Sequence, residues 1–448
     1  MITSKFKWMR LTSALAMGLL ALSPLAHVGS AHAAPPSTGI VCETGTGPSS
    51  FALSAEKGYI QMPDMNTMYM WSYGSGSAAG NFQHPGPTLC VNQNDIVMIT
   101  LTNNLPYGQR TSLIFPGQDS VLANGSPAQP DLLNNSLTNS IPSGGSIIYS
   151  FMASRPGTFI YESGTDTKTQ VPMGLFGALI VRPTLGANFV YNRSDSRFTP
   201  TEEFMALLSE VDPYQHQAWE VGLTQGMNYN LNNYRARYWM LNGRGFPDTV
   251  ADNDAPWLAT QPYGALARIY PNDSLLPNGL PNPTPQHPYP AVERFINVGS
   301  EEYPFHPHGQ NGLVIGRDGN PLESSGGLDL SMEKFAVNIG PGQTWDTIFK
   351  WYDAEAYNPV TKPVPVTVPD LVNIGIGMFY SGSPYLGYME TMPPGTNTLN
   401  QCGEFYIISH NHALFQLDAF GATMAGPITY LRIDPPVALQ TLTGNVCP

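Results

Sequence analysis

Two short stretches carry the residues best suited to chemistry. Tyr303-Pro304-Phe305-His306-Pro307-His308-Gly309 and Ser409-His410-Asn411-His412 each contain a His-x-His. On a β-strand, side chains two residues apart share a face, so each pair can aim two imidazoles at one point. Two such strands side by side would gather four imidazoles, a donor set that suits copper, zinc, iron or nickel. The chain has nine histidines, of which His27 and His32 lie in an N-terminal leader; four of the remaining seven sit in these two stretches. Two unrelated surface pairs are the bland alternative. The concentration favours a metal site, working or vestigial.

The leader has the form of a secretory signal. Lys5, Lys7 and Arg10 precede an apolar run from Leu11 to Leu25, and Ala31-His32-Ala33 is a small-x-small cleavage site. The mature protein is therefore expected to begin at Ala34, in a periplasm or outside the cell. The apolar run is too short for a membrane span, and no later stretch is long and apolar enough to be one. Loss of the leader removes three positive charges and no acid, taking the formal charge from -13 to -16. So acidic a chain has no basic stripe for nucleic acid and no affinity for anionic lipid. Its four cysteines, Cys42, Cys90, Cys402 and Cys447, point to disulfides in an oxidising compartment. Pairing within each half of the chain, Cys42–Cys90 and Cys402–Cys447, is preferred over a tie between the halves. None stands beside the histidine pairs as a thiolate ligand.

Few charges, 44 glycines and 42 prolines predict an all-β protein rich in turns. Residues 34–50 read as a loose arm. Short alternating runs follow, among them Thr67 to Trp71, Thr88 to Val91, Ile96 to Leu101, Ser146 to Met152, Gly157 to Glu162 and Gly177 to Val181. A polar linker, 185–200, separates these from Phe204 to Glu210, Val292 to Val298, Phe335 to Ile339, Thr344 to Trp351, Glu404 to Ser409 and Ile428 to Ile433. Two Greek-key β-sandwich domains are predicted, 51–184 and 201–437, with a Pro/Gly/Met-rich insertion at about 353–401 and a tail at 438–448. Met378, Met389 and Met392 in that insertion read as adaptable apolar packing, with copper(I) capture as the alternative. His84 reads as a turn or surface histidine, and His216 and His287 as loop residues.

Pro85-Gly86-Pro87-Thr88-Leu89, Leu101-Thr102-Asn103-Asn104-Leu105-Pro106, Pro156-Gly157-Thr158-Phe159 and Gly174-Leu175-Phe176-Gly177-Ala178-Leu179-Ile180-Val181 resemble the first domain of the multicopper oxidases. Arg294-Phe295-Ile296-Asn297, Asp318-Gly319 and Gly340-Pro341-Gly342-Gln343 are similar to the second. The resemblance covers most of the mature chain and implies cupredoxin-like domains, closest to the two-domain laccase-like branch.

That family binds copper through four histidine motifs, and here they are degenerate. Ile114-Phe115-Pro116-Gly117 and Glu162-Ser163-Gly164 stand where the first-domain motifs would be. Tyr303, Asn411 and Gln416 replace the His, Cys and His that hold the type 1 copper, with Met424 as a vestige of the axial ligand. The resemblance therefore implies no blue copper, a broken electron relay and no complete oxygen-reducing cluster. His306, His308, His410 and His412 match cluster-ligand positions, and Glu162 stands where the family places another. One or two copper ions, or another transition metal, are expected there. A homotrimer is a carry-over from the two-domain branch.

Two functions compete. One is an exported copper-binding protein, with oxidoreductase activity of a kind other than ordinary laccase chemistry and an unidentified redox partner. The other is a non-catalytic binding or assembly protein that reuses the scaffold. An iron or manganese enzyme using the histidines and Glu162 ranks below both.

Overall fold

Alternation between apolar and polar residues sets the architecture. In Ile96–Asn103 and Ser146–Met152, every second residue is buried and the intervening ones face outward. These strands belong to a six-stranded sheet that runs Thr67–Ser75, Ser50–Gln61, Ile96–Asn103, Ser146–Met152, Leu122–Ala123, Ser126–Pro127. A three-stranded sheet, Leu89–Asn92, Phe176–Arg182, Gly157–Glu162, closes over it. Leu53, Trp71, Val97 and Tyr149 from the first sheet meet Leu89, Phe159 and Leu179 from the second in one apolar core. The computed structural model describes residues 37–47, 49–225, 229–276, 278–309, 311–351 and 405–434.

The second half repeats the plan. A seven-stranded sheet includes Tyr238–Leu241, Glu203–Val211, Ala291–Asn297, Thr344–Phe349 and Gly312–Arg317. A five-stranded sheet is ordered Ala267–Ile269, Ile428–Ile433, Phe405–Asn411, Tyr303–Pro307, Val337–Ile339. Leu208, Leu241 and Phe295 pack between them against Tyr303, Phe305 and Ile339. The all-β expectation holds: two sandwiches with few helices.

Glu203–Val211 and Ala291–Asn297 are buried at every position. One face of each fills its own sandwich. The other meets the first half, where Met205, Leu207 and Ile296 pack on Ile160, Phe176 and Ala178. Arg294 lies in this contact, fully buried. It donates to Glu203 (2.7 Å), Asp346 (3.1 Å) and Thr158 (2.9 Å), and Arg182 of the first half pairs with the same Glu203. Burying charge costs several kcal/mol per ion unless it is paired and hydrogen-bonded, which this network achieves.

Several stretches differ from expectation. The arm is tied down: Cys42 is disulfide-bonded to Cys90, and Ile40 N–H donates to the Glu203 carbonyl (3.0 Å). Within the polar stretch 185–200, Val190, Tyr191 and Phe198 are buried against Val292, Ile315 and Ile348. A helix, Pro213–Gln225, was not anticipated. Asp212 and Pro213 were its sequence signals, because an acceptor side chain followed by proline starts helices. Tyr214 N–H donates to Asp212 Oδ1 at 2.9 Å. The signal segment with its cleavage site at Ala33, the insertion at about 353–401 with its three methionines, Cys402, Cys447 and the tail lie outside the described residues.

Candidate metal centre

One pair of strands positions every residue of interest in the second half. Tyr303–Pro307 runs antiparallel to Phe405–Asn411, with Phe305 opposite Asn411 and His306 opposite His410. Odd-numbered residues of the pair face the core, and even-numbered ones face away from it. Tyr303, Phe305 and Asn411 are buried, whereas His306 and His410 are half-buried and His308 and His412 exposed. His308 and His412 extend the strands by one hydrogen bond each, to Ile408 O (3.0 Å) and Pro304 O (2.7 Å). All four imidazoles therefore share one face.

The rings gather closely. The His306 ring centroid lies 4.6 Å from that of His308, 5.8 Å from His410 and 5.4 Å from His412. His410 is 5.1 Å from His308 and 5.7 Å from His412. His308 Nε2 and His410 Nε2 are 3.0 Å apart. His306 Nδ1 is 2.6 Å from the Phe335 carbonyl, and His410 Nδ1 is 2.8 Å from the Asn411 carbonyl. Each contact holds the proton on Nδ1 and puts the lone pair on Nε2, which for His410 faces His308 Nε2, the arrangement that supporting groups impose on metal-binding histidines. Burial, with help from the neighbouring imidazoles, pushes His308 and His410 below the ordinary histidine range, although the Asn411 carbonyl pulls His410 the other way. Burial and the imidazoles favour neutral rings, which is the form that binds metal. The cluster is not a finished coordination shell: among the described residues, no three His, Cys, Asp or Glu side chains are set to hold an ion as they stand. The donor chemistry suits a transition-metal ion, and closing a shell needs rotation of the exposed rings.

The other face of the strand pair carries the residues at the type 1 positions, and they do not fit a blue copper. Tyr303 is fully buried, and its hydroxyl donates to Glu210 Oε2 at 2.5 Å. The Asn411 amide donates to the Gln416 side-chain oxygen, and the Gln416 amide donates to Glu301 Oε2 at 2.7 Å. Trp239 Nε1 donates to the same Glu301 oxygen at 2.9 Å. These side chains bond to one another, and no thiolate or imidazole is present among them. Burial pushes Glu210 up to about 7. Gly299 packs closely on it: a Cβ there would meet Glu210 Oε2 at 1.9 Å, so a larger residue would have to displace the carboxyl. Glu210 and Glu301 are missed by motif reading. Met424 is part-exposed at a left-handed backbone position (φ 58°).

Glu162 is not gathered with the imidazoles. It lines a separate cleft of about 460 Å³ with Lys168, Tyr234 and Ser300, and the lining includes none of the four histidines. Burial pushes its carboxyl up to about 7. His84 and His216 correct the sequence reading, for both are fully buried rather than surface or loop residues. His84 packs edge-on against Phe176, with ring centroids 5.2 Å apart, and burial pushes it down to about 3. His216 Nδ1 lies 2.6 Å from the Tyr69 carbonyl on one side of the helix Pro213–Gln225. His287 stays in its loop, half-buried and stacked on Tyr270 at 4.3 Å.

Comparison with known proteins gives this geometry its context. The sequence model described as multicopper oxidase matches residues 67–185. A multicopper oxidase of Talaromyces pinophilus is 30% identical over 139 residues, and an L-ascorbate oxidase of Cucurbita pepo var. melopepo is 33% identical over 106. Residues 67–185 are thus similar to the multicopper oxidase family.

The matched stretches are 29% and 24% of this chain and only 22% and 18% of those two relatives. Among solved structures, the multicopper oxidase mgLAC superimposes with TM-score 0.55 at 18% identity, covering 87% of each chain. A blue copper oxidase from Nitrosomonas europaea gives 0.54 at 17%, covering 86% of this chain and 85% of that one. Both likenesses show the cupredoxin fold. On the strand pair of Tyr303–Pro307 and Phe405–Asn411, the four imidazoles lie on one face only.

Proposed function

We propose that this multicopper oxidase relative is an exported protein that binds copper at a reduced site formed by His306, His308, His410 and His412. The observation that carries the reading is the meeting of four imidazoles on one face, with His308 and His410 Nε2 atoms 3.0 Å apart. One or two ions are expected, since four imidazoles are too few for three. Copper bound there would supply one-electron redox chemistry, without the strong visible absorption of a thiolate-bound ion. The chain's own residues hold the proton on Nδ1 of His306 and His410 through the carbonyls of Phe335 and Asn411. Oxidoreductase activity, where it exists, runs without a type 1 relay, so laccase activity is not part of the proposal.

The domain division 51–184 and 201–437 belongs to the same proposal. Export to a periplasm or beyond rests on the leader and agrees with the Cys42–Cys90 disulfide. No helix among the described residues is long and apolar enough to cross a membrane. Glu162 lies in another cleft, so its role as a fifth ligand requires its approach from a second copy, as a homotrimer would allow. A second reading, a non-catalytic binding or assembly protein, is favoured by the polar network that closes the type 1 position and by exposed Phe335, Leu414 and Phe415 on and near the histidine strands. Copper titration with His306→Ala and His410→Ala separates the two. Loss of uptake in both variants supports the copper site; identical stoichiometry in the parent and both variants supports the second.

A further inference from the structure

A second site, with none of the four histidines in its lining, lies where the strand Thr67–Ser75, the helix Pro213–Gln225 and the strand Tyr238–Leu241 meet. A cleft of about 270 Å³ opens there, lined by Asn66, Tyr69, Tyr214, Glu220, Tyr238 and Phe420 among others. Its walls are aromatic. The Phe420 ring stacks on Tyr238 at 5.8 Å and 13°, and lies 6.4 Å from Tyr214. Phe420 and Tyr214 are nonetheless 48% and 55% exposed, which leaves ring surface uncovered at the mouth. Neither the sequence motifs nor the copper reading uses these residues.

Phe420 has a backbone φ of 49°. A bulky residue in the left-handed region is costly by roughly 1–3 kcal/mol, and such strain tends to persist where a position is functional. The backbone is held by Phe420 N–H donating to Arg237 O at 2.7 Å. This conformation sets the ring between two tyrosines rather than in the core.

The charged side chain in the cleft lining is an acid. Glu220 is part of the lining, oriented by the Tyr59 hydroxyl, which donates to its Oε1 at 2.7 Å. The Tyr238 hydroxyl donates outward to Asp64 Oδ2 at 2.8 Å, adding a second carboxylate behind the aromatic wall. No lysine or arginine is in the lining. Aromatic faces together with carboxylates attract cations whose charge is spread and weakly hydrated.

We propose that this cleft binds a small organic cation, of the quaternary or alkylated ammonium class, against the exposed rings of Tyr214 and Phe420, with Tyr238 backing Phe420 and Glu220 as counter-charge. The proposal is independent of the copper reading, since none of its residues touches the histidine face. Calorimetric titration of the metal-free mature protein with choline and with its uncharged isostere 3,3-dimethyl-1-butanol tests it. Choline should bind at least about tenfold more tightly than the isostere. Phe420→Ala and Tyr214→Ala, both at exposed rings, should each weaken choline about three- to tenfold, and Glu220→Gln should weaken choline while leaving the isostere unchanged. Equal binding of the two probes, stronger binding of a neutral sugar such as glucose, or no heat with choline at millimolar concentration in folded protein would overturn it.

Discussion

Tyr303 and Asn411 show how single residues decide what this scaffold can hold. Both occupy positions that resemble type 1 copper ligands, and both are buried with hydrogen bonds to side chains of their own sandwich. Restoring a thiolate alone therefore does not rebuild a blue site. Asn411→Cys is expected to bind copper without an intense blue band, because Tyr303 and Gln416 still supply no imidazole; an intense blue band in the visible spectrum of that single variant would contradict this account of the network. Tyr303→Phe removes the donor to Glu210 and leaves a buried acceptor unpaired, at a cost of about 1–3 kcal/mol in denaturant unfolding. Unchanged stability would mean the Tyr303–Glu210 bond contributes nothing. At this scale the sequence was informative where spacing determines direction. Period-two geometry put His306, His308, His410 and His412 on one face, and their strands do pair with His306 opposite His410. It was silent where burial depends on distant chain. His84, before Pro85-Gly86-Pro87, has the local signature of a turn, yet Phe176 and the buried His216 close around it.

The two central strands, Glu203–Val211 and Ala291–Asn297, determine how stability responds to pH. Arg294 pairs with Glu203, but Glu293 and Glu210 have no cation at hydrogen-bond distance among the described residues. Burial pushes them up to about 8 and about 7, and Glu202 at the head of the first strand up to about 8. In the unfolded chain these carboxyls lose their protons near the ordinary glutamate value of 4.5. Between those limits the native state holds more protons than the unfolded state. Stability is therefore full below about pH 4.5 as far as these groups are concerned, and falls as pH rises to about 8, by at most about 1.4 kcal/mol per pH unit for each group. Urea unfolding at pH 5 and pH 8 should show this fall, and Glu293→Gln should flatten it. A midpoint that rises between the two conditions would be inconsistent with neutral buried carboxyls. Arg294→Ala leaves Glu203 and Asp346 buried without their shared cation and should cost about 3–5 kcal/mol. These strands were legible as strands, being continuous and apolar at alternate positions. Their burial on both faces was not, since it comes from the packing of the two halves. The helix Pro213–Gln225 was missed because its composition, with Gln215, His216, Gln217 and Trp219, has no clear apolar stripe, although Asp212-Pro213 announced its start.

Across the whole molecule, the two halves share the cupredoxin architecture and differ in what they keep. The first half retains the Pro-Gly-Pro turn and the Gly174–Val181 stretch that carry the family resemblance, and its metal motifs are gone. The second half retains the strand pair and four imidazoles. Fold was readable from composition, turn spacing and motif order together, because these all follow from alternation and chain reversal. The candidate site was readable only in part: the ligands follow from spacing, but the Glu210–Tyr303 and Asn411–Gln416–Glu301 bonds require tertiary placement. The Cys42–Cys90 bond, which spans a sequence separation of 48, adds a global constraint. Its removal by Cys42→Ser with Cys90→Ser should cost about 2–4 kcal/mol and lower the Tm. Metal content of the mature protein, determined by elemental analysis after copper loading and dialysis, with an EPR spectrum of the same sample, tests the central claim most directly. The account predicts about one to two copper ions per chain, type 2 rather than type 1 hyperfine splitting, and loss of that copper in His306→Ala and His410→Ala. Well-folded protein that retains no copper, or that retains it equally in both variants, would contradict it.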